Sequence, residues 1–375
     1  MSSDFQIVGG GVIGLLVARE LAMAGASVTL FERGECCRES SWAGGGIVSP
    51  LYPWRYGAAV TALASQAQTE YPRLCTQLLA ETGVDPELET TGLLMLDAED
   101  ANVALEWAAA TGKPMHRMAG EDVHIAEPAL AKTFAQGLWM PQIANVRNPR
   151  LGQALLASLR RFPHVEILEQ SELLRLESRP WGEGRQVTAL VINRGGVTLR
   201  RDATHLVVAA GAWSGRVLAG AGIALPVVPV KGQMLLYETP ARLLNRIVLT
   251  GGRYLIPRRD NHILVGSTLE QEGFDKSLST SALESLRTSA IAMLPALAGL
   301  PVKHHWAGLR PGAPLGVPFI GPVPAWRNLW VNAGHFRNGL VLAPASARLL
   351  ADRLLGRPPR VAPEPYDPLS HATAA

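Results

Sequence analysis

FQIVGGGVIG, residues 5–14, runs from a short apolar segment into three consecutive glycines and then into a helical pattern. Gly9, Gly11 and Gly14 satisfy GxGxxG. In that pattern the first glycine makes the tight turn out of a strand. The second lets the backbone approach a diphosphate, and the third permits close helix–strand packing. The free N–H groups at the helix start then face the anion. Residues 12–24 read as the helix, and SVTLF, 27–31, as a second strand ending at Glu32. Glu32 lies twenty-three positions after Gly9. A carboxylate there accepts from ribose hydroxyls and repels a 2′-phosphate, which argues against NADP. These features together predict a βαβ dinucleotide site and leave FAD and NAD open.

Outward from this start, 57–82 reads as a long helix, GLLMLD (92–97) as a strand, and 148–162 as a helix with Pro149 in its first turn. VEILEQ, QVTALVIN, HLVVAAG and VVPVKGQMLLYE (227–238) read as strands. RYLIPRRDNHILVGST (253–268) reads as a hairpin turning at Asp260-Asn261, and 279–295 as a helix. NLWVNAGHFRNGLVLAPASARLLADRLLG (328–356) reads as a strand, a glycine turn and a final helix. Nucleotide-type segments thus stand at the start, middle and end, with strand-rich segments between them. The 375 residues, 47% hydrophobic and 18% charged, suffice for two domains with real cores.

A net charge of +3 without a basic, aromatic-interleaved run argues against nucleic acid as a partner. Three cysteines, Cys36, Cys37 and Cys75, without CxxC spacing read as reduced thiols of a cytoplasmic protein. MSSD lacks a basic n-region, and the apolar run after it is broken by glycines and Arg19, so neither a signal peptide nor a membrane span is expected. The nine histidines show no metal-ligand spacing, and His304-His305 would point opposite ways on a strand. No metal is expected.

Later segments favour FAD. Ser40-Ser41-Trp42-Ala43-Gly44-Gly45-Gly46-Ile47 offers two hydroxyls and bare backbone for a second approach to a diphosphate and a flavin. HLVVAAGAWS, 205–214, is a buried strand ending in small residues, with Ala210, Gly211 and Trp213 as candidate contacts. Gly334-His335-Phe336-Arg337-Asn338-Gly339-Leu340-Val341 joins a strand to the last helix. N–H groups at that helix start can bond flavin pyrimidine oxygens and stabilise negative charge on the reduced ring.

These segments, with PVKGQ (229–233), RYLIPR (253–258), WAGLRPG (306–312) and GHFRNGLVLAPA (334–345), resemble the D-amino-acid oxidase-like flavoprotein superfamily over nearly the whole chain. Within it the likeness is to the glycine oxidases linked to thiamine thiazole synthesis. The resemblance implies an α/β fold. A discontinuous Rossmann-like FAD-binding domain would take 1–82, 146–224 and 308–364. A substrate domain with a mostly antiparallel sheet would take 83–145 and 225–307, leaving 365–375 as a C-terminal tail. It implies noncovalent FAD, since no cysteine follows Cys75. FAD would be held at Val12, Ile13, Glu32, Arg33, Ser40, Ser41, Gly45, Gly46, Ile47, the Leu173 backbone and His335–Val341.

For substrate, the resemblance matches Arg310 to a carboxylate clamp and Tyr254 to a hydroxyl sharing that carboxylate. Arg337 matches a residue whose carbonyl accepts from the amine. A lone arginine is most often a solvated charge and a lone tyrosine half-buried packing. Gly308, Pro311 and Gly312, however, exclude an ordinary exposed helix around Arg310. Gly252 and Arg253 stand where bulkier or polar pocket residues are expected, which leaves substrate breadth open to larger amino acids or N-methylated amines. The implied reaction is oxidation of glycine, or another small amino acid or amine, by hydride transfer from Cα to flavin N5. The products are glyoxylate, ammonia and hydrogen peroxide, with oxygen as acceptor and no catalytic acid or base. The implied assembly is a homotetramer. Alternatives are a D-amino acid dehydrogenase passing electrons to a quinone, a sarcosine or other secondary-amine oxidase, and a noncatalytic flavoprotein. A tRNA-modifying relative lacks support from any basic surface signature.

Overall fold

The computed structural model describes residues 3–368; Met1, Ser2 and all but the first four residues of the expected tail 365–375 lie outside the described residues. Strand β1 (Phe5–Val8), helix α1 (Val12–Met23) and strand β2 (Val28–Phe31) form the βαβ unit expected from the opening motif. β1 is buried on both faces, which is why it reads as a nearly unbroken apolar run. Its one polar side chain, Gln6, is fully used: Nε2 donates to the Ser3 carbonyl at 2.8 Å and Oε1 accepts from Thr204 N at 2.9 Å.

β1 lies inside a six-stranded sheet ordered Phe319–Pro322, Leu329–Ala333, His205–Val208, β1, β2, Val165–Leu168. All neighbours are parallel except the antiparallel edge strand Phe319–Pro322. An eight-stranded sheet begins with Val302–Gly312, Val228–Glu238, His262–Gly266 and Arg253–Pro257, and continues through Ile247–Thr250, Leu93–Leu96, Gln136–Met140 and His116–Ala119. It is antiparallel apart from one parallel pair, Ile247–Thr250 with Leu93–Leu96. A separate three-stranded antiparallel sheet joins Ser171–Trp181, Gly184–Arg194 and Val197–Asp202. Only its middle strand was expected from the sequence. The outer two carry Glu, Arg and Asp along largely exposed faces and lack the apolar run of a buried strand.

Helix ends follow local chemistry. The helix expected over 148–162 stops at Leu159, and Arg161 and Phe162 close short turns onto Ser158 and Leu159 ahead of Pro163. Ser279 caps Thr280–Met293 by accepting from Ala282 N at 3.3 Å, and Pro295 follows its end.

The final helix, Gly339–Leu354, packs on α1 and on the long helix Ala58–Thr82. Pro344 sits inside it and lacks an N–H, so the Leu340 carbonyl loses its helical donor. The buried Tyr71 hydroxyl from Ala58–Thr82 takes that place, donating to the Leu340 carbonyl at 2.5 Å. This bond fixes the start of the final helix, which turns out to line the molecule's cavity. Tyr71→Phe would strand a buried carbonyl and is expected to cost about 1–3 kcal/mol in denaturant unfolding. Pro344→Ala in the Tyr71→Phe background restores the missing N–H, so it is expected to recover part of that loss, a non-additivity that a double-mutant cycle measures.

Candidate active site

One cavity of about 490 Å³ runs between the parallel sheet and the eight-stranded sheet. At one end stands the glycine turn. Gly9 has φ +114°, and a Cβ there would lie 2.3 Å from the Ala209 carbonyl oxygen. A Cβ on Gly14 would stand 1.9 Å from the Gly9 oxygen, so only glycine lets the helix start this close to the strand. The Ser41 hydroxyl accepts from Val12 N at 2.9 Å and sits where a Gly11 side chain would crowd it, at 3.1 Å. Both Glu32 oxygens are held by backbone: Oε2 accepts from Gly10 N at 2.7 Å and Oε1 from Gly34 N at 2.9 Å. Each oxygen keeps a lone pair for a ribose hydroxyl. Leu173, Ala210, Gly211 and Trp213 line the same end, and the Arg33 guanidinium stacks 4.3 Å over the Trp213 ring.

Further along, Ser40, Ser41, Gly45, Gly46 and Ile47 line one wall, and His335, Phe336, Arg337, Gly339 and Leu340 line another. Four expected contact residues do not reach the cavity: Gly14, Gly334, Asn338 and Val341. Gly14 is spent on packing against the turn. Gly334, at φ +83°, bends the chain where a Cβ would press on Phe319 at 3.0 Å. Val341 and Asn338 are buried in the protein interior. These four shape the wall from behind.

His335 is buried and bonded into a fixed network. Asn332 Nδ2 donates to the Ser346 carbonyl at 3.1 Å, so its Oδ1 faces the Ser346 hydroxyl, which donates to it at 2.7 Å. The same hydroxyl oxygen, 2.7 Å from His335 Nε2, must then accept. That places a proton on Nε2. Burial pushes the ring's pKa down to about 3.

At the far end lie Arg310, Tyr254 and Arg337. Arg310 is on the strand Val302–Gly312 opposite Val230, and Tyr254 is on Arg253–Pro257. Arg310 Nη2 donates to the Ser267 hydroxyl at 2.8 Å, and Nη1 to the carbonyls of Lys231 and Thr268 at 3.3 and 3.2 Å. Among the described residues no carboxylate lies within ion-pair distance of it. Burial is the main cause lowering its pKa; Arg337 adds to this, and the Tyr254 hydroxyl opposes it. Glycines make room for these groups. A Cβ on Gly232 would stand 2.1 Å from Arg310 Nη1, and one on Gly266 would stand 2.4 Å from the Tyr254 ring. Gly232, Gly266 and Ser267 escaped the sequence reading, although the first lies inside the noted PVKGQ segment.

The expectation for Gly252 and Arg253 is overturned: neither lines the cavity. Strand alternation turns Arg253 away from Tyr254, and it donates to the Ser267 carbonyl and, at 3.1 Å, to Ser285 Oγ. Gly252 N donates to the Tyr52 hydroxyl at 3.2 Å. Arg258 was also missed. Buried, it donates to Asn145 Oδ1 at 2.9 Å, the Val146 carbonyl at 2.9 Å and the Gly45 carbonyl at 2.8 Å. It thereby clamps the glycine segment at 44–46 onto 145–148, and burial lowers its pKa to about 10.

The three cysteines are buried, unpaired and outside the cavity lining, and burial raises each thiol. Among the described residues no helix is long and apolar enough to cross a membrane, and no group of three or more His, Cys, Asp or Glu is placed to hold a metal.

A profile of the FAD dependent oxidoreductase family matches residues 4–353. The chain belongs to that family. It is 55% identical over 369 residues to the glycine oxidase of Pseudomonas aeruginosa, across 98% of this chain and 99% of that one. It is 30% identical to the bifunctional protein ThiO/ThiG of Trichormus variabilis, across 94% of this chain and 52% of that one. The crystal structure of glycine oxidase from Geobacillus kaustophilus superposes with a TM-score of 0.89 at 29% identity, covering 98% of each chain. The cofactor is therefore FAD, and the residues present suit it. The glycine turn is a cradle that any Cβ at Gly9 would fill, and Glu32 faces the cavity with lone pairs to spare.

The His335 network has a measurable consequence. The ring is neutral in the folded protein down to about pH 3, whereas an unfolded histidine takes up a proton below about 6.5. The unfolded state therefore binds more protons between those values, and stability falls as pH falls through that window. The contribution lost is about 2 kcal/mol by pH 5. His335→Gln is expected to lose less stability than the parent protein between pH 7 and pH 5, as measured by urea unfolding.

Proposed function

We propose that this protein oxidises glycine, and other amino acids or amines of similar size, to the oxoacid or aldehyde and ammonia with hydrogen peroxide as co-product. Glyoxylate is the product from glycine. The observation that carries the reading is Arg310, a partly buried guanidinium without a carboxylate partner among the described residues, beside the Tyr254 hydroxyl. An amino acid carboxylate meets that need, and a planar guanidinium grips it through two parallel bonds. The glycine oxidases of Pseudomonas aeruginosa and Geobacillus kaustophilus, matched over nearly their full lengths, support the same substrate. The bifunctional ThiO/ThiG relative supports a place in supplying thiamine thiazole synthesis.

In this reading Arg310 and Tyr254 fix the carboxylate, and the Arg337 carbonyl accepts from the amine. Together they set the orientation of the Cα–H bond. Leu51, Met234 and Tyr254 line the cavity and hold the apolar side of a small substrate. Gly9–Ile13 with Ser40 and Ser41 hold the diphosphate, Glu32 and Arg33 the ribose, and Leu173 the adenine. Gly45–Ile47 with His335, Phe336, Arg337, Gly339 and Leu340 hold the flavin. When bound, FAD supplies the acceptor for the hydride leaving Cα and the route of its electrons to oxygen. The imine released from that bond hydrolyses without a side-chain base. Noncovalent attachment accords with the position of the three cysteines away from the cavity. A cytoplasmic location, supported by the unpaired thiols, and a homotetramer, supported by the family resemblance, belong to the same proposal.

Anaerobic mixing with glycine, sarcosine, D-alanine or D-proline, followed by aeration, tests it. Glycine is expected to bleach the flavin band and air to restore it promptly with peroxide, whereas glycinamide, which lacks the carboxylate, leaves the band intact. Slow reoxidation would favour a quinone-linked dehydrogenase, and no bleaching by any amine would overturn the proposal. Tyr254→Phe removes one hydrogen bond to the carboxylate and is expected to raise KM about fivefold with kcat little changed.

A further inference from the structure

Asn148 opens the helix Asn148–Leu159, and its side chain is buried. Its Oδ1 has no donor within reach. Among the described residues, it is the one cavity-lining side chain with a buried polar atom left without a partner. Of the other buried amides, Asn338 also has an unpartnered atom, Nδ2, but lies outside the cavity lining, whereas Gln6 and Asn328 are paired. Gln6 uses both ends, and Asn328 Oδ1 accepts from Val187 N at 2.9 Å while its Nδ2 donates to the carbonyls of Val187 and Thr204 at 2.9 and 2.7 Å. An unpaired buried carbonyl oxygen costs stability, so its presence at a binding cavity points to a donor that arrives with the ligand.

The surroundings hold the amide in place. A Cβ on Gly46 would stand 2.7 Å from Asn148 Oδ1, and one on Gly44 would stand 3.0 Å from Nδ2. Val146 N donates to the Gly46 carbonyl at 2.8 Å. The Arg258 clamp on Gly45 and Val146 secures the same two segments. The position along the cavity identifies the part of the ligand. Glu32 marks the ribose end, whereas a Cβ on Gly45 would stand 3.1 Å from the Tyr254 ring at the substrate end.

We propose that Asn148 is a cofactor-binding residue whose Oδ1 accepts a hydrogen bond from a hydroxyl or N–H of the flavin–ribityl half of bound FAD. The inference rests on FAD occupying this cavity and is independent of which amine is oxidised.

The test compares Asn148→Ala and Asn148→Asp with the parent as holoenzyme and as deflavinated protein. Thermal unfolding, FAD titration and the flavin's midpoint potential are the readouts. Asn148→Ala is expected to weaken FAD binding about tenfold, equivalent to ~1.4 kcal/mol. It should lower the holoenzyme Tm while leaving the deflavinated Tm unchanged or higher, because without FAD the amide has no bond to lose. Asn148→Asp keeps an acceptor oxygen, so it is expected to retain FAD. It should also shift the midpoint potential downward, since a carboxylate touching the flavin half opposes added negative charge. Equal loss of Tm in both states, or unchanged FAD affinity in Asn148→Ala, would overturn the proposal. Should the alanine variant not fold, an unchanged potential in Asn148→Asp overturns it. Bleaching of the parent holoenzyme by glycine is read separately, so failure of the substrate reading and failure of this inference are distinct results.

Discussion

A guanidinium taken out of water costs several kcal/mol unless its charge and its N–H donors are met. Arg310 donates to two carbonyls and one hydroxyl, leaving further N–H donors, and no carboxylate among the described residues lies within ion-pair distance of it. That residual cation sets the electrostatic character of this end of the cavity. Arg337 adds positive potential, Tyr254 adds a hydroxyl, and an anionic carboxylate is the ligand that lowers the energy of all three together. Strand pairing sets the position, since Arg310 lies opposite Val230 on neighbouring strands and Gly232 leaves room for its guanidinium.

The two ends of the cavity are joined by backbone held at close quarters. Glycine at 9 and 14 brings the first helix onto the first strand, and glycine at 45, 232 and 266 lets Tyr254 and Arg310 approach the flavin-side wall. Arg258 ties the loop carrying Gly45 to the segment carrying Asn148 through carbonyls alone. The Tyr71 bond to the Leu340 carbonyl does comparable work for the opposite wall, repairing the break that Pro344 makes in its helix.

Much of this was legible before any coordinates. The glycine spacing, the acid at Glu32 and the periodicity of the first helix carry their own physical meaning, and the structure's βαβ start follows them closely. Segments whose role depends on distant neighbours were harder to read. Ser171–Trp181 and Val197–Asp202 carry charges and are covered on one side only, so they lack a strand's apolar run. Asn148 and Arg258 look like ordinary polar residues in sequence, because their burial depends on packing between segments 112 and 213 residues apart along the chain. Arg253 adjoins Tyr254 in sequence but not in the cavity, since adjacent strand residues face opposite ways, and Gly252 lies in the turn before that strand.

The most direct measurement of the account's central claim is the binding of a small carboxylate that cannot be oxidised. Acetate would be titrated into the holoenzyme and into Arg310→Gln, with perturbation of the flavin absorbance as the signal. The account predicts saturable binding to the parent protein and a loss of about 100-fold or more in Arg310→Gln, the cost of removing a desolvated charge partner. Equal affinity in the two proteins would contradict it and would place the carboxylate away from Arg310.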